Sequence, residues 1–278
     1  MDLINFGIEI ETCSKLKNSK KEYDSYYDYI PDYIKKLNEL SDNSLFINAI
    51  YVLKKIYDKN TWMIDEDTSI SCDKHEFYPI EIITPVFTYK KEEFERFKNV
   101  FKMIKNENEF MYEINKTQGI HINISHPNQD HLKFLKIWWI YEPIILRFIP
   151  FERQNCLEKI AKPLRKIFKD LKDIEDNYKS YYDSKLSKYS AVSIRDDRFE
   201  IRIVNPSMDI EHILNWTKLC CRLLFVSIEY DTKEDNINDN YFFINDNTVH
   251  DLFNDLFKYT GEDLKEYYKN LYKEYNSL

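Results

Sequence analysis

The sequence predicts an α+β protein in which helices cover one face of a mixed or antiparallel sheet and the other face stays polar. Three observations carry that expectation. Four short segments alternate isoleucine or phenylalanine with polar residues at period two. Several longer segments repeat their apolar residues at close to 3.6-residue spacing. No internal repeat and no linker rich in Pro, Gly or Ser divides the chain, so residues 1–278 read as one domain.

In chain order, the first strand is expected at Leu3 to Thr12. A helical pattern follows around Ile30, Ile34 and Leu37, and a second helix carries Leu45, Ala49, Val52 and Ile56. Asp65 to Ser71 reads as a turn leading into a strand. Pro79 to Val86 reads as another strand, with Pro85 ending its ladder or marking an edge. Lys91 to Ile104 places Phe94, Phe97, Phe101 and Ile104 on one helical stripe. Gly119 to Ser125 alternates sharply, and Asp130 to Phe148 is a helix with a bend or break near Pro143. Leu157, Ile160, Leu164, Ile167 and Leu171 predict a further amphipathic helix, followed by a tyrosine-rich connector. Arg198 to Val204 is the last strand. Beyond Pro206 and Ser207, a long helix carries Ile210, Ile213, Leu214, Thr217 and Leu224. Asp231 to Asn240 reads as a polar surface insertion. Two helices close the chain, the second opened by a capping box of Thr260 and Asp263 and burying Leu264, Tyr267, Leu271 and Tyr275.

Composition narrows the function. A net charge of -8 argues against a dedicated nucleic-acid binder, because backbone binding needs concentrated Lys and Arg. The opening MDLINFGIEIET lacks a secretory signal, and no apolar run is long enough to span a membrane, so a cytoplasmic protein is expected. Cys13, Cys72, Cys156, Cys220 and Cys221 form no CxxC pair, which favours reduced thiols over a disulfide framework. Only three glycines are present, Gly7, Gly119 and Gly261, too scattered for a phosphate-cradling loop. Phosphates, if bound, must be held by side chains and metal ions.

The four alternating strands contain the chemistry. Period-two geometry puts Glu9 and Glu11 on one face and Ile8 and Ile10 on the other. Glu81 stands between Ile80 and Ile82. His121, Asn123 and Ser125 alternate with Ile120, Ile122 and Ile124, and Glu200 and Arg202 with Phe199, Ile201 and Ile203. An ordinary half-solvated sheet would look similar, but its wet face usually mixes in Lys and Thr. Here no Lys occupies these positions. If the strands adjoin, their carboxylates repel unless cations or hydrogen bonds compensate, and oxygen-rich ligation suits Mg²⁺ or Mn²⁺. Asp65 and Asp67 either reach such an ion or form a solvated acidic turn. Arg153, Arg195 and Arg198 are candidates for anion recognition, with ordinary salt bridges open for the last two. His75, His126, His131, His212 and His250 show no metal-ligand spacing.

These residues resemble the motifs of the amidoligase family, in the carboxylate–amine ligase superfamily of glutamine synthetase and glutamate–cysteine ligase. FGIEIE at 6–11 resembles its first strand. Trp62 with DEDTSIS at 65–71 resembles its Trp and Asp-Gly-Ser segment, with Thr68 in place of glycine. PIEIITP at 79–85 resembles its second acidic strand. GIHINIS at 119–125 resembles its Gly-x-His-x-His strand, with Asn123 in place of the second histidine. PFERQN at 150–155 keeps Arg153, RFEIRIVNPSMD at 198–209 supplies Glu200 and Arg202, and Lys188 with Tyr189 stands where an Arg-Tyr pair is usual. The resemblance runs from about residue 6 to 225, leaving a C-terminal helical extension.

The resemblance implies a curved, largely antiparallel sheet of glutamine-synthetase type. It also implies a ligase that uses ATP and Mg²⁺ or Mn²⁺ to join a carboxylate to an amine through an acyl phosphate. Glu9, Glu11, Glu81, Glu200 and His121 would bind metal. Arg202, Arg153 and His121 would be catalytic, and Glu81, Asn123, Arg202 and Lys188 would hold the nucleotide. The partners implied are a small-molecule or peptide carboxylate and an amine, with neither nucleic acid nor membrane. Two other readings stay open: a metal-dependent hydrolase or nuclease, and an inactive protein-binding descendant, the latter motivated by Thr68, Asn123 and Lys188.

Overall fold

Strand β1 (Asn5–Leu16) is bonded along both edges. The computed structural model describes residues 1–17, 19, 23, 25–41, 45–48, 61–183, 187–195, 197–229 and 246–276. On one edge β1 meets β4 (Tyr78–Ile83) and, near its start, β5 (Phe87–Thr88). On the other edge β7 (Ile120–Ser125) takes the first half of β1, and β6 (Phe110–Glu113) takes its end. With β2 (Phe46–Asn48), β3 (Trp62–Asp65), β8 (Val192–Arg195) and β9 (Arg198–Val204), the sheet has the order β2-β3-β4-β1-β7-β9-β8. Its pairings are antiparallel except β2 with β3. The fold is α+β, as the alternation predicts.

Register follows from burial. Ile8, Ile10, Ile80, Ile82, Ile120, Ile122, Ile124 and Ile201 are all at most 1% exposed, so each contributes about 1.5–3 kcal/mol of apolar burial. A one-residue slip of β1 would drive Glu9 and Glu11 into that core, which pins the ladder. Helices cover the isoleucine face: α1 (Tyr26–Ser41) packs on β3 and β4, and α6 (Ile210–Glu229) packs on β7. Around these lie α2 (Lys91–Ile104), α3 (His131–Leu146), α7 (Asp246–Thr260) and α8 (Glu262–Asn276). No helix among the described residues is long and apolar enough to cross a membrane.

Several expectations are corrected. The segment expected to form a second helix begins as strand β2, and its remainder, 49–60, lies outside the described residues, as does Asp231 to Asn240. The single helix expected through Leu157 and Leu171 is α4 (Phe151–Ile160), a 3-10 turn at Leu164–Lys166 and α5 (Leu171–Asp183). Pro163 explains the break, because proline disfavours helical backbone in the residue before it and cannot donate to the ladder. The buried Glu142 carboxylate then caps the 3-10 turn, accepting the N–H groups of Leu164 and Arg165 at 2.8 and 2.7 Å. The tyrosine-rich connector is largely the second half of α5.

Pro143, by contrast, leaves α3 continuous. The carbonyl it orphans, that of Trp139, accepts the Arg165 Nε–H at 2.9 Å, and that guanidinium stacks on the Trp139 ring. The capping box does not form. Thr260 ends α7 by donating to the Leu256 carbonyl, Gly261 turns the chain at φ +106°, and Asp263 pairs with Arg222. Tyr268, rather than Tyr267, is the fully buried tyrosine of α8. Finally, Cys13 and Cys72 form a disulfide, against the expectation of reduced thiols throughout; Cys156, Cys220 and Cys221 are free.

Candidate active site

The polar face of the sheet gathers the alternating residues at its centre. Glu9 lies opposite His121, Glu11 opposite Glu81, Asp65 opposite Glu81 and Asn123 opposite Glu200. His121 Nδ1 is 3.2 Å from Glu9 and its Nε2 3.3 Å from Glu11. The ring therefore bridges two carboxylates on one strand. Asn123 Nδ2 donates to the other Glu9 oxygen at 2.9 Å, and Arg198 Nε donates to Asn123 Oδ1 at 3.0 Å. Beside His121 the β7–β9 register shifts, from Ile122↔Ile201 to Ile120↔Val204. This bulge inserts one extra residue near Arg202, a common device for re-aiming a side chain at a site.

Two oxygen-rich groups have one ligand atom from each member within 4.8 Å of the others: Glu9, Glu81 and His121, and Glu11, Asp67 and Glu81. Glu81 belongs to both. Burial, followed by the charges of Glu9, Glu11, Asp67 and Asp65, pushes the Glu81 carboxyl up to about 9. Burial pushes Glu11 up to about 7 despite the His121 charge beside it. Glu9 is also pushed up by burial, but His121 and Asn123 outweigh that and leave it below its ordinary value. The protein thus crowds carboxylates where protein cations alone do not satisfy them.

Glu200 stands in neither group. One of its oxygens accepts Arg195 Nε at 2.9 Å and the other accepts Arg202. Arg153, from α4, is buried with its NH2 2.7 Å from where a Cβ on Gly119 would lie, so a side chain at 119 would have to displace the guanidinium. Its Nε and that of Arg202 are buried without a hydrogen-bond partner. Lys188 is exposed in the 3-10 turn before β8, with its ammonium over the Tyr189 ring.

A groove of about 300 Å³ opens beside this cluster. Glu9, Asn123 and Arg198 line it on the polar side, and Met63, Ile83 and Val86 on the apolar side. Sequence reasoning singled out Glu9, Asn123 and Arg198 but not the apolar wall, whose residues carry no chemical signature of their own. It also left Asp67 undecided between metal reach and solvated turn. What brings Asp67 in is the pairing of β3 with β4, which sets the following turn beside Glu81.

The family model described as a putative amidoligase enzyme matches residues 3–224, from before β1 to within α6. The chain belongs to the amidoligase family. The matched span contains every strand among the described residues and the whole carboxylate cluster, leaving α7 and α8 outside. Among curated proteins, none matches the chain.

Proposed function

We propose that the protein is an ATP-dependent, ADP-forming ligase that joins a carboxylate to an amine through an acyl phosphate. The observation that carries this reading is the pair of carboxylate groups sharing Glu81 beside an open groove, in a chain of the amidoligase family. The donor set fits Mg²⁺ or Mn²⁺: carboxylate oxygens and one imidazole, with burial and then the neighbouring carboxylates holding Glu81 up to about 9. Glu9, Glu81 and His121 would hold one ion, and Glu11, Asp67 and Glu81 another. Bound there, the ions would offset the charge of the triphosphate and of the carboxylate substrate.

The chain's own residues then have distinct tasks. His121 orients Glu9 and Glu11 by facing both. Glu200 fixes Arg195 and Arg202, leaving the Arg202 Nε donor unspent. Arg202 and Arg153 supply positive charge toward developing phosphoryl and tetrahedral oxyanions. In the first step a carboxylate oxygen attacks the γ-phosphorus and ADP leaves. In the second the amine nitrogen attacks the acyl carbon, phosphate leaves, and the amine proton passes to solvent. Asn123 and Arg198 border the groove where substrate would lie.

The test is isotopic. With ¹⁸O in the carboxylate of an acid pool, plus ATP, Mg²⁺ and amines, an acyl phosphate delivers one ¹⁸O to the phosphate formed. ADP release without label in the phosphate, or no nucleotide turnover at all, defeats this reading.

A further inference from the structure

Two residues beyond Glu11 along β1, three residues of quite different chemistry converge. Cys13 lies on β1 directly opposite Glu113 of β6, and Cys72 approaches from the loop after β3 with a Cα–Cα distance of 5.8 Å. One carboxylate oxygen of Glu113 lies within 4.8 Å of both sulfurs. Glu113 Oε1 accepts the Asp73 N–H at 2.6 Å and the Asn115 amide at 3.5 Å, which aims the carboxylate. Its Oε2 is buried and accepts no hydrogen bond. A buried carboxylate oxygen without a donor is costly and calls for a partner. The Gln118 amide donates to Cys13 Sγ at 3.4 Å, a contact suited to a sulfur carrying negative charge.

The geometry points to a second metal site, for Zn²⁺, formed by Cys13, Cys72 and Glu113 when the disulfide is reduced. Two thiolates on a tetrahedral zinc lie about 3.8 Å apart, given Zn–S bonds of about 2.3 Å. The observed Cα–Cα distance reaches that by side-chain rotation. Two sulfurs and one carboxylate select zinc over the hard ions suited to Glu9 and Glu81, and half-buried Cys72 leaves room for water as a fourth ligand. A dithiol reduces the S–S bond by exchange, giving up two electrons and two protons as it becomes a disulfide itself and leaving two thiols on the protein. Zn²⁺ then displaces their two protons. Disulfide and zinc are alternative fastenings for one loop, the loop that carries Asp67.

The test uses Co²⁺ in place of Zn²⁺ on the full chain, reduced with a phosphine that does not compete for metal. A sulfur-to-cobalt charge-transfer band in the near ultraviolet should saturate at one equivalent, disappear on adding Zn²⁺ and persist in excess Mg²⁺. The oxidised wild type should show no band, an internal control that needs no variant. Cys72→Ser should abolish the band with the far-ultraviolet dichroism unchanged, and Glu113→Gln should weaken Co²⁺ binding by about tenfold or more. No band in fully reduced protein, a band surviving in Cys72→Ser, or undiminished affinity in Glu113→Gln overturns the assignment. None of these readouts depends on ligase activity.

Discussion

Glu11 and Glu81 face each other across the β1–β4 ladder, and both carboxyls are held above their ordinary value, at about 7 and about 9. The folded metal-free protein therefore holds these protons more tightly than the unfolded chain does. Its stability should be greatest below about pH 4.5 as far as these two groups are concerned, and should decline as pH rises through 7 towards 9.

Replacing Glu81 by Gln removes the charge shared by both carboxylate groups at nearly constant volume. The metal-free variant should melt higher than wild type at pH 8, while Mg²⁺ affinity falls by more than about tenfold. Thermal unfolding and calorimetric titration on one preparation check both halves. A variant that binds Mg²⁺ as wild type does would remove Glu81 from the centre.

Gly119→Ala tests the approach of Arg153. The new methyl would sit 2.7 Å from the guanidinium NH2 and 3.4 Å from Glu11 Oε2, so the guanidinium must move. A displacement of about 1 Å at a reacting centre costs up to about a hundredfold in turnover. ADP formation should drop on that scale while the unfolding midpoint changes little. Equal losses of stability and activity would instead mark Gly119 as a folding residue.

His212 should set part of the acid limit. It is buried on α6, with Nδ1 2.8 Å from the Tyr267 hydroxyl and Nε2 without a partner, and burial pushes it down to about 4. Protonation would bury an N–H with no acceptor, so the unfolded chain, near 6.5, takes the proton first. The stabilisation is complete above pH 6.5 and is lost as pH falls towards 4, a loss of about 3 kcal/mol at most. His212→Phe should flatten denaturant midpoints between pH 6.5 and 4. An unchanged profile would place the acid sensitivity elsewhere.

Arg165 and Pro143 should be coupled. Arg165→Lys loses both the bond to the Trp139 carbonyl and the stacking on its ring, at a cost of about 1–3 kcal/mol. In a Pro143→Ala background the helix can supply its own N–H to that carbonyl, so the same change should cost less. A double-mutant cycle by urea unfolding measures the difference, and strict additivity would deny the compensation.

The parts of the fold legible in the sequence were those with one wet and one dry face. Glu9, Glu11, Glu81, His121 and Glu200 were visible because each alternates with residues buried against helices. β6 and β8, at four residues each, are too short to display a period. Apolar spacing ran from Leu157 to Leu171 without registering Pro163, because periodicity measures faces and is blind to a missing donor. Asp67 and Cys72 occupy a loop, where position depends on partners distant in the chain: Glu81 for the one and Cys13 for the other.

Glu9 and Glu11 sit on a strand hydrogen-bonded along both edges, and such amides exchange with solvent only when the sheet itself opens. The spacing between these two carboxylates is accordingly the stiffest dimension of the centre. Val86 and the turn holding Asp67 lie on loops at its margin. Evolutionary drift can therefore remodel the rim while the geometry at the heart of the cluster stays unchanged.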